Sequence, residues 1–241
     1  MNLVFVNGWS ALPNYWSCLN ELNDVFDRID CVHLDDACEQ ADVLTHIESK
    51  IDGPTLLAGW SLGGMLAVRA AVLSNTSVCG VCALQSNASF VARDHWEGMP
   101  AELFDEFSSR VASESVESVY KLFGHMMLKG DRHKRSGLKK LNELNGQGGV
   151  YQKHVLTKTL SLLGDIDLNK VLPDLKVPAL FLFGENDSLV PARVADRLES
   201  ANSRITTAVL PEVAHAPMLS AWPAIKQKLR SFAEDCACPL V

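Results

Sequence analysis

No apolar run in this chain approaches the roughly 20 residues that a membrane-crossing helix needs, so no membrane association is expected. The opening "MNLVFVNGW" lacks a basic leader region, and its apolar stretch is too short for a signal peptide. The cytoplasm is therefore the expected compartment. Basic surplus is missing as well: the net charge is −7, a balance that argues against general nucleic-acid binding. Two successive cysteine pairs at zinc-finger spacing are also lacking. The seven cysteines (Cys18, Cys31, Cys38, Cys79, Cys82, Cys236 and Cys238) are scattered and odd in number, which reads as reduced thiols. Cys79 and Cys82 have C-x-x-C spacing, but "VCGVCAL" reads as a strand interior and no second pair follows at zinc-finger distance. No metal is expected. Repeats and low-complexity tracts are absent.

What is present describes an ordinary globular chain. Its 241 residues are 47% hydrophobic and 21% charged, enough to bury a large single core. Short apolar runs at 2–6, 29–34, 54–59, 78–84, 178–184 and 205–210 read as strands, most of them near-continuously apolar, as strands covered on both faces are. Helical patterns at 15–27, 40–51, 62–74, 192–201 and 221–235 alternate with them. That alternation predicts an α/β fold with a mostly parallel, doubly wound sheet. It breaks from 89 to 170, where "AELFDEFSSRVA" and "VESVYKLFGHMM" predict a helical insertion and "LNGQGGVYQ" a turn between helices. The expected organisation is one domain over 1–241, with its core in 1–88 and 171–241 and a lid in 89–170.

Functional groups in open α/β sheets gather at the carboxyl ends of the strands. Three such ends carry reactive residue types. "GWSLGG" at 59–64 matches G-x-S-x-G, with an apolar run before it and a helical pattern after. Its glycines allow a sharp strand-to-helix turn that would strain Ser61 and expose its hydroxyl. Asp187 follows the run at 178–184 in "GENDSLVP", with Glu185 a nearby competitor for the same role. His215 follows the last apolar run in "LPEVAHAPMLS". The chain order Ser61, Asp187, His215 is that of the α/β-hydrolase triad and differs from the two protease orders. After the first strand, "NGW" at 7–9 places a backbone amide where such folds build an oxyanion hole, so Trp9 and Leu62 are the expected donors.

With these residues in place, the chain resembles the α/β-hydrolase superfamily over essentially its whole length. More narrowly it is similar to the pimeloyl-acyl-carrier-protein methyl ester carboxylesterase family of biotin synthesis. The segments that carry this are "NGW", "GWSLGG", "SNASFVARDHWEGMP", "DSLVP" and "AHAP", in that order. The resemblance implies a cytoplasmic, monomeric serine esterase with about six or seven strands, a helical lid and no cofactor. It implies Ser61 as nucleophile, His215 as general base and then acid, and Asp187 as its orienting partner. Trp9, Ser61, Leu62 and His215, with Leu122, Phe123, Gly124, His125 and Met126 of the lid, would contact the substrate. The partner implied is an acidic acyl-carrier protein. Residues 121–140 hold seven Lys/Arg against one Asp, and Lys121, Arg132, Lys139 and Lys140 are the implied docking cations. A short-chain carboxylesterase, a C–C bond hydrolase and a non-catalytic ligand receptor remain alternatives. Two departures stand out: the hairpin that usually opens the superfamily sheet is missing or reduced, and "DDACEQAD" at 35–42 replaces a Gly-rich turn beside the pocket.

Overall fold

The computed structural model describes residues 1–35, 43–73, 77–94 and 96–237. Among these residues six strands form one sheet: β1 (Asn2–Val6), β2 (Ile29–Val32), β3 (Thr55–Trp60), β4 (Val78–Leu84), β5 (Ala179–Gly184) and β6 (Ile205–Leu210). Their spatial order is β2-β1-β3-β4-β5-β6, and every neighbouring pair is parallel. All six carboxyl ends therefore open on one edge. The count sits at the lower end of the expected six or seven, and no antiparallel hairpin precedes β1 among the described residues. Most of residues 35–42 lies outside the described residues.

Burial explains which apolar runs were continuous. β3 and β5, each with a strand on both sides, are buried along their whole length. β2 and β6 lie at the edges, and only part of each is covered. Each fully buried Leu, Val or Phe contributes about 1.5–3 kcal/mol by leaving water. Helices pack on both faces: α1 (Val43–Ser49), α2 (Leu62–Leu73), α7 (Ala195–Ala201) and α9 (Trp222–Ala237), with the single turn α8 (Pro217–Ser220) just before α9. α2 is apolar on nearly all sides and almost wholly buried, as befits a central helix rather than a surface one.

One expected helix differs in kind. Residues Pro13–Leu22 form 3₁₀ turns with a kink at Trp16, where φ is −110° and ψ 24°. Tyr15, Trp16, Leu19 and Leu22 are all buried, a spacing open to both the 3₁₀ and the α repeat.

Between β4 and β5 lie four helices: α3 (Ala101–Ser113), α4 (Val116–Met127), α5 (Lys134–Gly148) and α6 (Lys153–Asp165). α5 runs on through Gly146 to Gly148, so the expected turn at 144–152 shrinks to its last few residues. Where this insertion begins and ends, the chain closes on itself: the Leu168 N–H donates to the Ala88 carbonyl at 2.8 Å, and Ser89 bridges Asp167.

Candidate active site

β3 ends at Trp60, and the chain turns into α2 within one residue. Ser61 makes that turn at φ 54°, a left-handed conformation that costs a non-glycine residue of order 1–3 kcal/mol. Two glycines make the turn possible. A Cβ on Gly63 would collide with the Val6 and Asn7 carbonyls, and one on Gly59 would collide with the Gly63 backbone. The elbow is tied down by the Ser61 N–H to the Leu84 carbonyl at 2.8 Å, and by Ser86 Oγ donating to the Ser61 carbonyl at 2.9 Å.

Ser61 Oγ lies 3.0 Å from His215 Nε2, and His215 Nδ1 lies 2.7 Å from Asp187 Oδ2. All three residues are at least 94% buried. The other carboxylate oxygen of Asp187 accepts the Leu189 and Val190 N–H groups at 2.8 and 3.0 Å. Its two oxygens are thus fixed, one by backbone and one by imidazole. Glu185, the competing carboxylate, points elsewhere: its Oε2 accepts the Glu212 N–H at 2.9 Å at the surface. A hydroxyl, an imidazole and a carboxylate chained in this way can move the hydroxyl proton onto Nε2 while the carboxylate holds the proton on Nδ1.

Trp60 contributes something that sequence reasoning missed. Its Nε1–H donates to the His215 carbonyl at 2.8 Å, and the two rings lie 5.3 Å apart. Strand β3 thereby places both the hydroxyl and its imidazole partner. Sequence offered a faint signal, since a bulky indole beside a Gly-rich turn needs a partner for its N–H when buried. Gln85 was missed as well. It follows β4 at φ 41°, fully buried, with neither side-chain amide atom paired among the described residues.

Leu62 opens α2, so its N–H is among those that a helix leaves unpaired. Neither that N–H nor the Trp9 N–H donates to a backbone carbonyl among the described residues. Gly8 lets the loop after β1 approach this elbow, for a Cβ there would lie 2.5 Å from the Trp60 ring. The Trp9 side chain faces the insertion: Nε1 donates to the Leu156 carbonyl at 2.8 Å, and the ring meets Phe107 and Phe123 edge-on at 5.3 and 4.8 Å.

The stretch Leu122–Met126 does not present one surface, because consecutive residues of α4 point about 100° apart. Leu122 and Met126, four residues apart, line a cleft of about 250 Å³ with Phe107 and Leu189. Phe123 turns inward onto Trp9. Gly124 and His125 line a second cleft, of about 390 Å³, together with Lys121. Gly124 also lets α5 come close, since a Cβ there would lie 2.8 Å from the Leu141 side chain.

Of the four implied docking cations, Arg132 and Lys139 line one surface cleft with Arg135, next to the 390 Å³ cleft that Lys121 lines. Arg132 also pairs with Glu212 at 2.9 Å, and Lys139 stands 4.0 Å from Glu143 one turn along α5. Lys140 follows on α5 and is exposed. Among the described residues no group of His, Cys, Asp and Glu could hold a metal ion, and no helix is long and apolar enough to cross a membrane.

Known proteins align with this architecture. The pimeloyl-[acyl-carrier protein] methyl ester esterase of Yersinia pseudotuberculosis serotype O:1b is 27% identical over 97% of this chain and 93% of that protein. A biotin biosynthesis bifunctional protein of Cellvibrio japonicus is 35% identical over 81% of this chain, which spans 38% of that longer protein. A solved esterase from Exiguobacterium antarcticum superposes with a TM-score of 0.76 at 18% identity, covering 97% of this chain and 92% of its own. A model of the alpha/beta hydrolase family matches residues 3–225, nearly the whole sheet and its insertion. By that match, and by a parallel sheet whose third strand breaks at a strained serine, the chain belongs to the alpha/beta hydrolase family.

Proposed function

We propose that the protein is a serine esterase that hydrolyses the methyl ester of a pimeloyl chain carried on acyl-carrier protein, releasing methanol in biotin synthesis. The single observation that carries the chemistry is the buried chain from Ser61 Oγ through His215 to Asp187, at 3.0 and 2.7 Å. In this reading His215 takes the Ser61 proton as Oγ bonds to the ester carbonyl carbon. The carbonyl oxygen becomes an oxyanion on the Trp9 and Leu62 amides. When the tetrahedral adduct collapses, the C–O bond to the methoxy group breaks and methanol leaves with the proton from His215. Water, deprotonated by His215, then attacks the acyl-enzyme and frees the carboxylate and Ser61.

The substrate assignment is supported by the relatives' names and by the character of the insertion. Leu122 and Met126 give the smaller cleft, which Ser61 and His215 do not line, one apolar side suited to a methylene chain, while Phe123 acts through Trp9 and Gly124 through the packing of α5. Lys121, Arg132, Lys139 and Lys140 are the cations proposed to meet an acidic carrier protein; Arg132 and Lys139 also face Glu212 and Glu143, in exposed ion pairs. The protein would act as a monomer in the cytoplasm.

The test compares carrier-bound pimeloyl methyl ester with free monomethyl pimelate, alongside labelling by a fluorophosphonate probe. The expected result is a higher kcat/KM on the carrier-bound ester, with labelling and turnover abolished by Ser61→Ala. Equal kcat/KM on the two esters would overturn the carrier assignment, and turnover by Ser61→Ala would overturn the mechanism.

A further inference from the structure

The segment that leaves α4 and enters α5 does more than join two helices. Asp131 lies there beside Arg132 and Lys134, yet it is turned inward and only 6% exposed. Its Oδ1 accepts the His133 N–H at 2.7 Å. Its Oδ2 accepts the Ala214 N–H at 3.1 Å and the Ser220 hydroxyl at 2.8 Å. Ala214 directly precedes His215, and Ser220 ends the α8 turn that follows it. Three more bonds join the insertion to the carboxyl edge of the sheet. The His215 N–H donates to the Met127 carbonyl at 2.9 Å, the Arg132 N–H to the Glu212 carbonyl at 3.1 Å, and Asn186 Nδ2 to the Gly130 carbonyl at 2.9 Å.

A buried carboxylate is costly unless its lone pairs are taken up. Here two of its three donors flank His215, so the carboxylate and the histidine loop fix each other. That loop needs an external hold, since Glu212 sits in it at φ 59°. From the sheet side, Trp60, Asp187 and Ser61 reach His215 and the Asn186 N–H donates to the Val213 carbonyl at 2.9 Å, whereas the backbone N–H of His215 itself is bonded to the insertion.

We infer that Asp131 is a positioning residue for His215, through which the helical insertion sets where the imidazole stands relative to Ser61. The inference rests on the proposed role of His215 as general base. It differs from a plain anchoring role in what it moves: anchoring changes stability and substrate access, whereas positioning changes proton transfer.

The test uses the full chain, a small soluble ester and a fluorophosphonate probe on Asp131→Ala, Asp131→Asn and Lys153→Ala. Lys153 bonds the Ala112 and Glu114 carbonyls, so its loss weakens the insertion without touching the histidine loop. Asp131→Ala is expected to lower kcat and the rate of Ser61 labelling together, by about 10–100-fold, with KM within about twofold of wild type. Asp131→Asn keeps one acceptor oxygen and should fall between the two. Lys153→Ala should retain both rates. Wild-type kcat and labelling in Asp131→Ala would overturn the inference, as would an equal loss in Lys153→Ala. Should the alanine variant not fold, wild-type rates in Asp131→Asn would overturn it. Absence of labelling in the wild type, with turnover by Ser61→Ala, would instead overturn the reading of the site and this inference with it.

Discussion

Ser61 sits where a strand turns into a buried helix, and Asp131 sits where one insertion helix gives way to the next. Around Ser61 the fit is backbone against backbone: Gly59 on Gly63, Gly63 on the carbonyls of Val6 and Asn7. Around Asp131 it is side chain against backbone, a carboxylate collecting N–H groups from two loops. The first arrangement cannot give without moving the sheet. The second is a set of polar contacts that single atoms can make or break. Strand register thus holds the serine, and hydrogen bonds from the insertion hold part of the backbone beside His215.

The sharpest way to break that contrast is at the strand edge. Asp187→Asn should lower kcat for ester turnover by about 10⁴-fold in steady-state assays, because the amide favours the wrong imidazole tautomer. A loss under tenfold would mean that the sheet edge does not govern the histidine. Next in size is a matched pair of glycine substitutions read by denaturant midpoint. Gly63→Ala forces a methyl group into carbonyl oxygens and should cost about 3 kcal/mol or more, whereas Gly124→Ala meets only the end of Leu141 and should cost about 1 kcal/mol. Equal costs would erase the distinction between a rigid elbow and a yielding insertion. Trp60→Phe removes the N–H from a buried His215 carbonyl and should cost about 1–3 kcal/mol in thermal or chemical unfolding, with slower Ser61 labelling.

Surface charge should matter less. Lys139→Glu with Lys140→Glu is expected to lower the ratio of kcat/KM for carrier-bound over free ester about tenfold at low salt, and less as ionic strength rises. Arg132 is left out of that variant because its guanidinium also braces Glu212 in the histidine loop. The smallest effect concerns the thiols. Burial pushes Cys18 up to about 11, and Cys82 higher still, so both stay protonated at pH 8. Iodoacetamide at that pH should leave Cys18 and Cys82 unalkylated, as read by mass spectrometry. Because the folded state holds these protons more tightly, their contribution to stability is complete below the ordinary thiol range and falls as pH rises towards 11.

The sheet was legible because strands covered on both faces must be apolar throughout, and β3 and β5 are. The meeting of Ser61, Asp187 and His215 was legible because parallel strands deliver residues just past their ends to one edge. Other parts followed rules that the sequence pattern does not display. Residues 13–22 bury side chains at a spacing that both helix types can use, and only packing chose the tighter one. Leu122–Met126 looked like one contact stretch, but helical rotation sends neighbouring residues to different faces. Asp131 was hidden among lysines and arginines as one more charge on a solvated face. Its importance lies in donors more than 80 residues further along the chain.

The clasp between Ala88 and Leu168 carries a consequence for how this fold can diversify. Seen from the sheet, the four insertion helices are a closed excursion whose two ends already touch, so its length is nearly free: doubling a flexible loop costs only about 0.6 kcal/mol in closure entropy. A lineage could exchange the whole roof as a cassette and keep β4 and β5 in register. The histidine loop limits that freedom. A transplanted roof that lacks a buried acceptor where Asp131 stands would leave the sheet intact and the Ala214 N–H and Ser220 hydroxyl on either side of His215 without their partner.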